Sequence, residues 1–233
     1  FCIGKNKIIS NAIHLLTITH FSITMSVPEL SIEEQIQNIL NNIIDQLRLL
    51  YEQFTENNIN HMQIYSRIDG IKTAVEGSKY KLGEYIIKVN EGIETGTLYL
   101  DILNYLEKIS QNLGAVSYRY SVLQTRSKLE ESTIQSLLVT MIEKLIAAAS
   151  SALESFRLLS LNSKKSAEKA RNIIKIEEEV DDLYRNFELK VFDKNNELIF
   201  MMLTKDIGDR LEDCADLFRD TANDILYISY IRE

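Results

Sequence analysis

The chain of 233 residues is long enough to bury a real core, and 45% hydrophobic with 26% charged residues is a soluble globular composition. One proline and eight glycines are too few for the many turns of a sandwich, barrel or doubly wound sheet. Two cysteines at opposite ends of the chain make no disulfide framework, which fits a reducing setting, and a net charge of −8 with pI near 5.1 argues against nucleic acid as a partner.

The N-terminal stretch 1–26 contains an apolar run from Ile8 to Thr24 interrupted by Asn11, His14 and His20, too polar and slightly short for a transmembrane helix. The first methionine is Met25, and periodic patterning starts only after it, so 1–26 is expected to be an extension, not native to the protein or not folded with it. Ser31-Ile-Glu-Glu34, with Pro28 ahead of it, reads as a capping box. Ile36, Ile39, Leu40, Ile43, Ile44, Leu47 and Leu50 then form one apolar stripe at helical spacing. Polar residues near 57–60 end that helix. A second is expected over about 61–89, and a third carries Leu98, Ile102, Tyr105, Leu106, Ile109, Leu113 and Val116 on one face.

The fourth helix is expected from about Leu129 to Leu161. Asn162-Ser163 caps a fifth, with Ile173, Ile176, Val180, Leu183 and Phe187 as its seam. Asp193-Lys-Asn-Asn196 turns into a sixth, which aligns Ile207, Leu211, Cys214, Phe218, Ala222 and Ile225. Short loops force antiparallel neighbours, so the fold class is all-α: an elongated antiparallel bundle of six long helices. The similar spacing of helices one to three and four to six divides it into two three-helix repeats, 27–126 and 127–233.

Charge is concentrated in one place. Between Glu177 and Asp224 the chain carries fifteen acids and six bases, a charge of −9, while the rest of the molecule carries +1. On the sixth helix Asp209, Asp213, Asp216 and Asp220 step by four, three and four, which puts four carboxylates on one face. Glu178 and Asp182 make a second i,i+4 pair on the fifth helix. Like charges at this spacing destabilise a helix by about 0.2–0.5 kcal/mol per pair, and a bound multivalent cation removes that cost. Carboxylates without His or Cys suit Mg, Ca, Mn or oxidised iron. An ordinary solvated acidic face is the competing reading of the same residues.

Glu177-Glu-Glu-Val-Asp-Asp-Leu-Tyr-Arg185 followed by Lys205-Asp-Ile-Gly-Asp-Arg-Leu-Glu-Asp-Cys-Ala-Asp216 resembles the PhoU superfamily, and within it the PhoU-like phosphate transport regulators, accessory proteins of Pit-type phosphate transporters. The resemblance is sharp over about 170–226. It implies two three-helix repeats and a Glu/Asp-x-x-x-Asp motif whose carboxylates hold multinuclear metal clusters on the bundle surface. Here the motif falls on Asp209 to Asp213, with Glu178 to Asp182 as its partner and Asp216 and Asp220 as further ligands for a metal ion, multinuclear iron or another divalent cation. The resemblance further implies a cytoplasmic, non-enzymatic regulator that forms a homo-oligomer. It would contact a phosphate transporter or its signalling partner, and the membrane only through that transporter.

The first repeat departs from the motif. Glu107-Lys-Ile-Ser-Gln111 ends in an amide, and the helix before it offers Glu76 and Tyr80, so one acidic site is expected, in the second repeat. No phosphate loop, nucleotide fingerprint or Cys/His metal spacing occurs. With histidines only at 14, 20 and 61, no nucleophilic triad assembles. His61 reads as a cap or surface residue and Cys214 as a small core residue. The alternative function is a bundle that binds or tethers partners without metal.

Overall fold

The computed structural model describes residues 27–56, 58–89, 92–126, 133–192 and 197–233, and these hold helices and no strand. In chain order they are α1 (Val27–Thr55), α2 (His61–Val89), α3 (Gly96–Arg126), α4 (Thr133–Leu159), α5 (Ser163–Phe192) and α6 (Leu198–Ile231). The expected extension 1–26, the boundary between 126 and 127, and the turn 193–196 involve residues outside this description.

The helices start where side chains meet the orphan N–H groups of a first turn. Asn60 Oδ1 accepts from the Gln63 N–H at 3.1 Å, and Asn162 Oδ1 accepts from the Lys165 N–H at 3.0 Å. The first helix begins earlier than its sequence predicts. Pro28 sits in the first turn of α1, where its missing N–H costs nothing. Ser31 therefore lies inside the helix, and its expected capping role passes to a contact with the Gln35 amide at 3.4 Å.

Within each group of three every helix meets the other two, most extensively α2 with α3 in the first group and α5 with α4 and α6 in the second. The two groups join through α1 with α4 and α3 with α6. The first contact explains α1, whose stripe from Ile32 to Phe54 is buried along its length. It also explains α4, which has the length and hydropathy of a membrane span (mean hydropathy 1.5) yet packs against α1, α5 and α6. The second contact accounts for the seam of α6: Ile207, Leu211, Cys214, Phe218, Ala222 and Ile225 all enter one continuous core. Cys214 is in that core as expected, its Sγ 3.8 Å from the Ile109 carbonyl and its thiol pushed up by burial. His61, at the start of α2, is half-buried. It packs edge-on to Tyr120 at 5.5 Å, and burial lowers the pKa of its imidazole.

Polar groups inside the first group are placed in register. Gln46 and Gln53, two turns apart on α1, donate to the carbonyls of Ser110 and Ser117, two turns apart on α3. At the other end the C-terminus is tied in. The Arg232 guanidinium, 9% exposed, pairs with Glu33 at 2.7 Å and Glu29 at 3.3 Å and donates to Tyr99 Oη at 2.9 Å. Tyr99 in turn donates to Glu33 at 2.6 Å. Burial raises the Glu33 pKa, and Arg232 holds it back.

Two outcomes follow from this packing. Arg232→Met should cost about 3–5 kcal/mol at neutral pH in urea unfolding, because it leaves the Glu33 carboxylate buried without its cation; the loss should shrink in acid, where Glu33 takes a proton. Gly208 of α6 lies under Phe187 of α5, and a Cβ at that position would overlap the ring. Gly208→Ala should therefore destabilise by about 1–3 kcal/mol, whereas the same change at Gly77, which has open space around it, should be neutral or stabilising.

Candidate functional site

The acidic stretch lies on α5 and α6, which run antiparallel. Their register is pinned by Phe187 over Gly208 and by Tyr184, whose hydroxyl donates to Asp209 Oδ1 at 2.6 Å. Burial and that hydrogen bond push the Tyr184 phenol up to about 12. Each acid on α5 is placed by its phase relative to the seam of Ile173, Ile176, Val180 and Phe187, at 100° per residue. Three consecutive glutamates go three ways. Glu177, 6% exposed, lies beside the seam toward α6 and pairs with Arg219. Glu178 points to solvent, and Glu179 turns toward α4 and pairs with Lys144 at 2.5 Å.

The same phase separates the two aspartates. Asp182 is exposed and pairs with Arg185 of its own helix at 2.8 Å. Asp181, one residue earlier, lies on the α6 side, where its charge acts on Glu177 and Glu212. The structure thus does not bring Glu178 and Asp182 to α6. The pair that faces α6 is Glu177 and Asp181, one residue earlier in register.

On α6 the four predicted aspartates are distributed along a half-exposed stripe. Asp209 is held by Lys205 and Tyr184. Asp213 is exposed on its outer side, and partial desolvation with the charges of Asp209 and Asp216 raises its pKa against the pull of Arg210. Asp216 pairs with Arg219 at 2.9 Å, and Asp220 lies 3.8 Å from the same guanidinium. The centre of the arrangement is a residue the sequence pattern passed over. Glu212 lies between Asp209 and Asp216 on the flank facing α5. Burial, then Asp216, Asp213, Asp181 and Asp209, push its carboxyl up to about 7. Its signal in the sequence is the i,i+4 step to Asp216 and the i,i−3 step to Asp209.

This groove is a set of hard oxygen donors whose mutual repulsion meets at Glu212, and that chemistry fits a multivalent cation. The side chains are not arranged around one. Among the described residues no group of three or more acids, histidines or cysteines converges to hold a metal ion. Arg219, Lys205 and Arg185 take the places of counter-ions. The counterpart on α2 and α3 is already neutralised: Glu107, 12% exposed at its side chain, is bonded by Lys79 at 2.8 Å and by the Gln111 amide at 2.8 Å, while Tyr80 is exposed.

The sequence matches no family model and no curated protein. The fold is nonetheless that of a known class, the PhoU-like helical bundles. PhoU from Streptococcus pneumoniae, a phosphate transport system regulatory protein, superposes with a TM-score of 0.71 at 12% identity over 85% of this chain and 93% of its own. PhoU from Pseudomonas aeruginosa superposes at 0.66 with 12% identity, covering 86% and 93%. A PhoU-like protein from Shewanella oneidensis MR-1 gives 0.62 with 14% identity, covering 85% and 96%.

The groove makes stability depend on pH in a stated direction. The Glu212 carboxyl is raised in the fold from 4.5 to about 7, so its ionised form is the costly one. Stability should rise as pH falls from about 8 to 5 and level off below the unfolded value. Glu212→Gln should raise the melting temperature at pH 8 and flatten that slope. Equal slopes in the two proteins would show that Glu212 is simply solvated.

Proposed function

We propose that this chain is a non-enzymatic, cytoplasmic regulator or accessory protein of phosphate transport, acting by contact between its helical faces and a transporter or its signalling partner. A multivalent cation bound in the α5–α6 groove is part of that reading. The fold likeness to phosphate regulatory proteins supports the first part. The observation that carries the second is Glu212, a half-buried carboxylate with four acids around it. Glu177, Asp181, Glu212 and Asp216 would hold the ion, with Asp209, Asp213 and Asp220 at its edge. Glu178 and Asp182 lie too far round α5 to reach it. The resident Arg219 would have to turn outward, and its partly exposed position leaves room for that.

The second reading is a metal-free interaction bundle that self-associates or tethers partners. The observation in its favour is that Glu177, Asp181, Asp209 and Asp216 each already has an arginine or lysine.

Thermal unfolding with added Mn or Fe separates the two. Binding to the folded state alone stabilises it by about 2.7 kcal/mol at a hundredfold excess over Kd. The wild type should show that shift beyond NaCl of equal ionic strength, and Glu212→Gln with Asp216→Asn should lose it. An identical response to metal and NaCl leaves the metal-free bundle. The regulatory part is read in cells: phosphate uptake should change when the gene is deleted and be restored by the wild type, and unchanged uptake would refute it.

A further inference from the structure

A second acidic cluster lies on the other side of α6, against α3, and shares only Asp220 with the edge of the groove. The two helices are antiparallel, with a register fixed by three contacts: Asp206 with Arg119, Arg210 with Asn112 at 3.0 Å, and Cys214 with the Ile109 carbonyl. Each advance along α6 is matched by a retreat along α3. Continued for two more turns, this places Asp220 and Asp224 of α6 opposite Asp101 and Tyr105 of α3. Two i,i+4 pairs therefore face each other across the seam that joins the two halves of the molecule.

Asp224 is only 8% exposed, and its Oδ2 is buried with no hydrogen-bond partner. Burial, then Asp101, then Asp220, push its carboxyl up to about 6. Burial, then the charges of Asp224, Asp101 and Asp220, raise the Tyr105 phenol, which the register places on the same stretch of the seam. Among the described residues no lysine or arginine pairs with Asp101 or Asp224; Arg219, 3.8 Å from Asp220, is the one base at the edge and is engaged with Glu177 and Asp216. A buried carboxylate costs several kcal/mol without a counter-charge, so this seam carries an unmet demand for positive charge.

We propose that Asp224, with Asp101 and Asp220 around it, is a binding site for a hydrated divalent cation, Mg2+, at the junction of α3 and α6. No three carboxylates converge at coordination distance here, which excludes a closed all-protein cage. Mg2+ does not require one: it keeps several waters and is held through one or two carboxylates. Asp224 would bind directly, and Asp101 and Asp220 through the ion's water. The ion would thereby fasten the first three helices to the last three.

Mn2+ titration of the full chain, followed by electron paramagnetic resonance with Mg2+ as competitor, tests this. The variants are Asp224→Asn, Asp101→Asn and Glu212→Gln. Asp224→Asn and Asp101→Asn should each weaken one Mg2+-competable Mn2+ site by about tenfold or more, and Glu212→Gln should retain that site. If Asp224→Asn does not fold, Asp101→Asn, on the half-exposed side of the seam, decides. Wild-type affinity in both Asn variants, or a site lost only with Glu212→Gln, overturns the proposal and leaves the groove reading standing. A wild type that gains stability as pH falls through about 6 but does not respond to Mg2+ also overturns it, because a proton alone then meets the demand at Asp224.

Discussion

Where Phe187 of α5 lies against Gly208 of α6, the absence of a Cβ lets the two helix axes approach more closely than a larger residue would permit. That approach sets which side chains share the groove. It brings Tyr184 onto Asp209 and carries Glu177 to Arg219, three turns further along. An ordinary side chain at 208 would separate the helices, and water would fill the space between the carboxylates. In water their repulsion falls to about 1 kcal/mol per pair at 4 Å, against several times that in a partly buried site. The raised Glu212 carboxyl is thus a consequence of a packing contact one turn away.

The two halves resolve charge differently. In the first, Lys79 and Gln111 both bond Glu107, so the carboxylate is neutralised and its hydrogen bonds are filled. In the second, the same kind of position carries a surplus that three bases cannot absorb. Arg219 serves Glu177 and Asp216, Lys205 serves Asp209 and Glu188, and Arg185 serves Asp181 and Asp182. Glu212 is left at the centre. Partly exposed ion pairs of this kind contribute about 0–1 kcal/mol each, so they hold the side chains in place without making the surplus stable.

The helices were legible in the sequence because 3.6-residue periodicity survives in every segment, and the breaks between segments coincide with polar runs. The start of α1 was not, because a Ser-x-x-Glu pattern signals a cap only when the chain before it is not already helical; here Pro28 opened the helix first. Which acids of α5 face α6 was legible to within one residue. Runs such as Glu177-Glu-Glu179 and Asp181-Asp182 offer several i,i+4 pairs, and sequence alone does not say which flank of the seam meets α6 and which meets α4. Packing decides: Lys144 of α4 draws Glu179, and Arg219 of α6 draws Glu177. Glu212 and Asp224 were missed for a different reason. Acids next to a core seam look like ordinary solvated residues until a second helix covers them.

These two missed residues lie on opposite flanks of α6, and Arg219 stands between them. Its guanidinium pairs with Glu177 and Asp216 on the groove side and lies 3.8 Å from Asp220, which belongs to the seam. One cation therefore divides its charge between two acidic clusters. Positive charge supplied to Glu177 and Asp216 from outside would release Arg219 toward Asp220 and lower the demand at Asp224. Positive charge supplied at the seam would free it for the groove. Because the effect passes through one shared guanidinium, it must be reciprocal: whatever factor occupancy of one side applies to the affinity of the other holds in both directions. The groove faces solvent and the seam joins the two halves of the bundle, so α6 is the element through which charge bound on the surface would reach the packing of the halves.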